Sequence, residues 1–237
     1  MNILADYHTH TTYSHGRGTI EDNVVEAIKK GIKTIGISDH GYKHLGFGIK
    51  LKDLKKMREE VDLLNDKYKD INILLGMECN ILDNKGNIDT NDEILKFCDY
   101  IMAGYHFGST PTSFKGVLNH FSNRLLKSER TKEYNTLALI NAMKNNDIFI
   151  ITHPGDKGEV YIEEVAKVAK ETDTRLEINS SHGFLNVSQI NKIKDIKNKF
   201  VIGSDAHIPQ RVGDFEVALD IIKEANLDIS LIENISL

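Results

Sequence analysis

The segment KFVIGSDAH (residues 199–207) is a short aliphatic run that ends in a carboxylate and an imidazole two positions apart. Its apolar positions are consecutive rather than alternating, as in a parallel strand buried on both faces. The same form recurs in NILADYH (2–8), TIGISDH (34–40), INILLGME (71–78), YIMAGYH (100–106), IFIITH (148–153) and TRLEIN (174–179). Helical patterns lie between these runs. TIEDNVVEAIKKG (19–31) opens on a Thr cap and closes on Gly, and 50–68 has apolar residues at helical spacing. Further helices are expected near 130–146, 159–171, 187–196 and 213–225. A repeating strand–helix order implies a parallel sheet with right-handed crossovers. Seven strands in this length fit an α/β fold closed, or nearly closed, into a (β/α) barrel. An open doubly wound sheet is the alternative. No GxGxxG or GxxxxGK[ST] follows the first strand, which weakens its nucleotide-binding versions.

The chain has 237 residues, 40% hydrophobic and 27% charged, the balance of an ordinary globular protein with a sizeable core. A formal net charge of -5 gives no general attraction to nucleic acid or to a membrane surface, so neither is expected as a stable partner. The N-terminus lacks the layout of a secretory signal, and no apolar run approaches the roughly 20 residues a membrane helix needs. Cys79 and Cys98 have no metal-type spacing and read as reduced thiols of a cytoplasmic protein. With three prolines and no low-complexity linker, residues 1–237 read as one domain. Oligomeric state is not legible.

The ten histidines carry the functional signal. Five of them, His8, His40, His106, His153 and His207, terminate an expected strand. In a parallel barrel all strand C-termini lie on one rim, where barrel enzymes build their sites. Alternation sharpens the pattern, because residues i and i+2 of a strand share a face. It groups Asp6, His8 and His10; Gly76 and Glu78; Gly104 and His106; Ile151 and His153; Glu177 and Asn179; and Gly203, Asp205 and His207. One HxH on a strand is a weak sign of metal. Six strand ends that deliver His, Glu or Asp to one rim are a specific one. Imidazole nitrogen and carboxylate oxygen suit divalent Zn, Mn or Fe.

The ordered motifs HTHTTYSHG (8–16), SDHG (38–41), GMECN (76–80), AGYH (103–106), ITHPG (151–155), EINSS (177–181) and GSDAH (203–207) resemble those of the polymerase-and-histidinol-phosphatase (PHP) superfamily. The resemblance runs from Asp6 to about Asp214 and is greatest to small stand-alone members with trinuclear centres. It implies a distorted (β/α)7 barrel and two to three divalent transition ions. Carried over position by position, His8, His10, Glu78 and Asp205 would hold one ion. Glu78, His106 and His153 would hold a second, and His15, His40 and His207 a third. The implied activity is hydrolysis of a small phosphate monoester by a metal-bridging hydroxide, with Glu78 as the carboxylate shared between ions and Glu78 and Asp205 as the catalytic carboxylates. Histidinol phosphate and phosphotyrosine are among the substrates this leaves open. A phosphodiesterase acting on nucleic-acid ends, or a metal-binding module without chemistry, are the competing readings.

Other residues receive graded expectations. Arg17, in a Gly-flanked loop, is placed to clamp phosphate, and Arg211 has a similar claim. His182 is expected on the rim, touching substrate or giving a proton to the leaving oxygen. Asp6 and Asp39 are candidates to orient metal-bound histidines, with a structural or capping role equally open for Asp39. Asn179 stands beside the pocket, His44 at its entrance, and Lys157 reads as a solvated loop residue. His120 reads as surface and Cys79 as core. The stretch 107–129 is the longest rim insertion and a natural lid or specificity element.

Overall fold

The computed structural model describes residues 2–125 and 128–236, so residues 1, 126, 127 and 237 of the expected single domain lie outside it. In chain order the elements are β1 (Asn2–Ile3), β2 (Ala5–Asp6), α1 (Ile20–Lys29), β3 (Thr34–Ile37), α2 (Leu54–Lys67), β4 (Asn72–Asn80) and α3 (Asp92–Leu95). They continue as β5 (Tyr100–Gly104), α4 (Phe114–Leu125), α5 (Glu129–Asn145), β6 (Ile150–Ile151), α6 (Ile162–Glu171), β7 (Arg175–Asn179), α7 (Val187–Ile193), β8 (Phe200–Gly203), α8 (Glu216–Glu224) and β9 (Ile235–Ser236). Local chemistry sets several boundaries. Thr19 caps α1 through a reciprocal box with Asp22, and Asn186 and Gln189 do the same for α7. Among the described residues, no helix is long and apolar enough to cross a membrane.

Strands β2 to β8 form one parallel sheet in sequential order. The expected first strand, 2–8, is broken: β1 pairs antiparallel with β9 instead of extending β2. The seam between β2 and β8 is what makes the barrel distorted. Towards the C-terminal rim it closes through backbone, with a parallel bridge of Thr9 to Ala206 and a 2.9 Å hydrogen bond from His10 N to Ala206 O. Lower down, one side chain replaces the missing ladder. Asn234 Nδ2 donates to Ala5 O at 2.8 Å and Ile202 O at 2.7 Å, and its Oδ1 accepts from Ile202 N at 2.9 Å. The amide satisfies backbone groups on both strands that would otherwise be buried unpaired.

The main core lies between the barrel wall and the surrounding helices, built from the outward positions of the strands and the apolar faces of α1, α2, α5, α6 and α8. A smaller cluster of Met102, Ile150 and Val201, with Tyr7, Tyr100 and Phe149 packed against it, fills the lower interior. Tyr100 lies across this floor, and a Cβ at Gly36 or Gly76 would collide with its ring. The inner positions of the strands are therefore aromatic and aliphatic below and polar above. Alternation accounts for most of this, but not just after β2, where Tyr7 and His8 in succession both reach the interior, nor on β6. Ile150, not Ile151, faces inward. His153 reaches the interior because its backbone turns into the left-handed region at φ 27°, so the expected pairing of Ile151 with His153 does not hold.

Candidate metal centre

All nine positions that the resemblance marks as ligands converge at the upper end of the barrel. Glu78, fully buried at the inward face of β4, is their hub. Its Oε1 lies 3.1 Å from His106 Nε2, 3.2 Å from His153 Nε2 and 3.4 Å from His8 Nε2. Its Oε2 lies 2.7 Å from His40 Nδ1 and 3.7 Å from His10 Nε2. Asp205 Oδ1 stands 3.2 Å from His10 Nε2 and 3.5 Å from His8 Nε2. Three sets of donor atoms lie mutually within 4.8 Å: His10, His15, His40 and His207; His8, His10 and Glu78; and His40, Glu78 and His106. In this arrangement His10 and His40 each belong to two sets, a closer sharing than the sequence reading assigned.

The donor chemistry fits divalent cations. Buried Nδ1 atoms of His10 and His15 have no hydrogen-bond partner, and the 2.7 Å approach of His40 Nδ1 to Glu78 Oε2 lacks hydrogen-bond geometry, an arrangement costly without a charge-bearing neighbour. His8 Nε2 and His10 Nε2 face each other at 3.1 Å. Burial, reinforced by His207 and His40, pushes His15 down to about 3. Burial likewise holds His106 at about 4 and His10 well below its ordinary value. These are neutral imidazoles, the form that ligates metal. Burial disfavours the charged form of Asp205, yet His8, His10 and His182 hold its carboxyl well below the usual range.

The residues that aim these rings were not all legible in advance. Glu177 on β7 accepts from His8 Nδ1 at 2.6 Å, and its other oxygen accepts from His153 N at 2.9 Å and Asn179 Nδ2 at 3.0 Å. A carboxylate can only accept, so His8 carries its proton on Nδ1 and turns Nε2 inward. A Cβ at Gly203 would run into Glu177 Oε1, so the neighbouring strand leaves this carboxylate its space. Asn80 Oδ1 accepts from His106 Nδ1 at 3.0 Å, while Asn80 Nδ2 donates to Asp89 at 2.7 Å. His207 Nδ1 donates to Asp205 O at 2.9 Å. The signal for Glu177 and Asn80 was their parity, two residues from Asn179 and Glu78.

Asp6 does not orient a ring. It accepts from Ser204 Oγ at 2.5 Å and Gly213 N at 2.9 Å, and so struts the β2–β8 seam. Asp39 accepts from Thr11 N at 2.7 Å, Thr11 Oγ1 at 2.6 Å and Ser14, fixing the loop between His10 and His15. Asn179 Nδ2 also reaches Asp205 Oδ2 at 3.1 Å. His182 Nε2 is 3.2 Å from that same Asp205 oxygen, and its Nδ1 is 3.3 Å from Asp156. His44 stacks on His40 with centroids 5.0 Å apart. His120 is not a free surface residue: its Nδ1 meets Tyr105 Oη at 3.0 Å. Cys79 is buried in the core, and neither cysteine is in a disulfide.

Above the donors opens a cavity of about 770 Å³, whose walls include Arg17, His44, Phe47, Phe107, His182 and Arg211. Lys157, read from sequence as solvated, lines it too, as does Arg124 of the 107–129 insertion. Part of the 107–129 insertion therefore stands on the rim as α4, with residues 126 and 127 outside the described set.

The family description of the PHP domain matches residues 6–181. A protein of Thermoanaerobacter sp. (strain X514) named a probable phosphatase is 35% identical, over 99% of this chain and 91% of that protein. Another so named, from Shewanella frigidimarina, is 31% identical over 99% and 90%. Among solved structures, the histidinol phosphate phosphatase of Lactococcus lactis, in complex with zinc, L-histidinol and phosphate, superimposes with a TM-score of 0.68. It is 19% identical, with 95% of each chain covered, a likeness of fold. By the match to its motifs and by the identity to those relatives over nearly the full length, the chain belongs to the PHP domain family.

Proposed function

We propose that the chain, as a single PHP-type domain, is a metal-dependent phosphatase that hydrolyses a small phosphate monoester. The observation that carries this reading is the convergence of seven histidines, Glu78 and Asp205, buried except for the half-buried His15 and His207, at the floor of a cavity with arginines on its wall. Two to three divalent ions, Zn, Mn or Fe, would be held by His8, His10, Glu78 and Asp205, by Glu78, His106 and His153, and by His15, His40 and His207. Such ions supply Lewis acidity and a water activated at neutral pH.

The remaining work falls to the chain. Glu78 and Asp205 offset part of the positive charge and hold the donors in register. Arg17 and Arg211 present guanidinium groups to the non-bridging phosphoryl oxygens, where negative charge grows as the bond to the leaving oxygen breaks. His182, held between Asp205 and Asp156, is placed to give a proton from Nε2 to the departing alcohol oxygen. The walls of the cavity limit bulk water around the reacting groups.

Purified protein should contain two to three transition ions by elemental analysis and release p-nitrophenol from p-nitrophenyl phosphate. Chelation should abolish the rate. His10→Ala and Asp205→Ala should lose metal together with at least about a thousandfold in rate, while circular dichroism remains that of the folded barrel. Full turnover by metal-stripped protein would overturn the reading.

A further inference from the structure

The cavity above the donors holds more cationic groups than one phosphoryl group can use, and they are divided between two walls. Arg17 and Arg211 form the first. Arg17 N donates to His207 O at 2.9 Å, and Gly18 packs against Pro209, so the loop after β2 lies on the turn that carries Arg211. Arg124 and Lys157 form the second. Asn123, beside Arg124, donates to Asn135 Oδ1 at 2.9 Å, and Asn135 Nδ2 donates to Glu159 O at 3.0 Å, so the end of α4 is tied to the loop that carries Lys157. The first wall stands over the seam of β2 and β8, the second over β5 and β6. In a ring ordered β2 to β8 these positions are opposite.

Local pairing does not exhaust these cations. Among the described residues, neither Arg17 nor Arg124 has a carboxylate within 4.0 Å, a condition Arg211 and Lys157 do not share. Arg211 meets Asp214 only through Nε, at 3.3 Å, and Lys157 meets Asp156 at 2.6 Å and His182 Nδ1 at 3.5 Å, with a proton to spare. Beyond Phe107 and Lys157, which border both spaces, lies a second chamber of about 360 Å³ edged by Asn123, Thr131, Asn186 and Gln189. Its lining mixes these amides and hydroxyls with Lys132, Asp156, Glu159, Val160 and Phe184, a surface for the polar and apolar parts of the alcohol's body.

From this division we propose that the substrate is a two-headed anion: a phosphate monoester whose alcohol carries a second anionic group, phosphate or carboxylate. The scissile phosphate sits at the donors against Arg17 and Arg211, and the second group is read by Arg124 and Lys157 at the mouth of the side chamber. This rests on the phosphatase reading and narrows it. It also sets the chain apart from a phosphatase for a cationic alcohol such as histidinol, whose ammonium would meet Arg124 and Lys157.

The test uses matched pairs on the metal-loaded protein: glycerate 3-phosphate against glycerol 3-phosphate, and fructose 1,6-bisphosphate against fructose 6-phosphate. The first pair isolates a carboxylate and the second a phosphate. In at least one pair, kcat/KM should favour the two-headed member by about tenfold or more, the worth of a charge-assisted contact. The double variant R124Q/K157Q should bring that ratio to within about twofold of unity, and R211Q should lower both members together with the ratio kept. Ratios near unity in the wild type, a ratio untouched by R124Q/K157Q, or a preference for histidinol phosphate would each overturn the proposal. If no phosphate is released even from p-nitrophenyl phosphate, the phosphatase reading fails by itself. Titration calorimetry then decides the pocket: glycerate 3-phosphate must bind more tightly than glycerol 3-phosphate, and lose that margin in R124Q/K157Q.

Discussion

The two ends of the barrel interior use the same strands and the same inward positions for opposite purposes. At the lower end Tyr7, Tyr100, Met102, Phe149, Ile150 and Val201 fill the space with apolar surface. At the upper end the inward residues are His8, His10, Glu78, His106, Glu177 and Asp205, buried as deeply but polar, with unpaired atoms on His10 and Glu78. Alternation decides which residues face inward. Height along the strand then decides whether the interior stabilises the fold or waits for a ligand. The seam between β2 and β8 repeats the contrast, closed below by one amide whose partners are all met and above by the segments that carry four of the nine donors.

Three substitutions probe this division. The largest effect is expected at the lower seam. Asn234→Ala strips partners from Ala5 O, Ile202 O and Ile202 N, and should cost about 3 kcal/mol of stability in urea unfolding. The fraction that stays folded should keep its metal content; loss of metal in step with stability would merge the two ends into one unit. Next is the upper rim, where Glu177→Gln removes the charge that fixes His8. Metal affinity, measured by chelator competition, should fall about 10- to 100-fold, with a melting temperature of the apo protein little changed. The smallest effect lies at the bottom surface. Burial works against the charge of Glu233, but Arg175, at 2.6 Å, and Lys199, at 3.2 Å, hold it below its ordinary value of 4.5. A depressed carboxylate contributes stability that is complete above the unfolded value and is lost as pH falls through the folded one. Unfolding free energy should therefore fall from pH 5 to pH 3 by a few tenths of a kcal/mol more in the wild type than in Glu233→Gln. An identical slope in both would remove this pair from the account.

Much of the barrel was legible because its strands are short, apolar and separated by capped helices, and its rim because histidines recur at strand ends. His153 shows the limit. Its arrival in the site depends on one left-handed backbone angle, which the two-residue period of a strand does not contain. Glu177 and Asn80 were on the right face, but their partners are ring nitrogens set by the packing of distant strands. Asp6 met the opposite fate: its neighbour Tyr7 fills the floor of the interior, and Asp6 bonds to Ser204 and Gly213 rather than to an imidazole. Lys157 read as solvated because a loop position gives no hint of a cavity beside it, and Arg124 was legible only as part of the 107–129 insertion. What lines that cavity follows from the Asn119, Asn123 and Asn135 amide cluster under α4, a tertiary contact with no sequence period.

The seam also sets an order of events during synthesis. Asp205 and His207, the neighbours of His8 and His10 across the closed ring, leave the ribosome about two hundred residues after them. A nascent chain can present scattered imidazoles but not the assembled cage. Selectivity among competing divalent cations, which in such donor sets comes from geometry more than from raw affinity, is therefore withheld until ring closure, the slow, long-range step of such a topology. An ion captured earlier meets a floppy ligand it can leave.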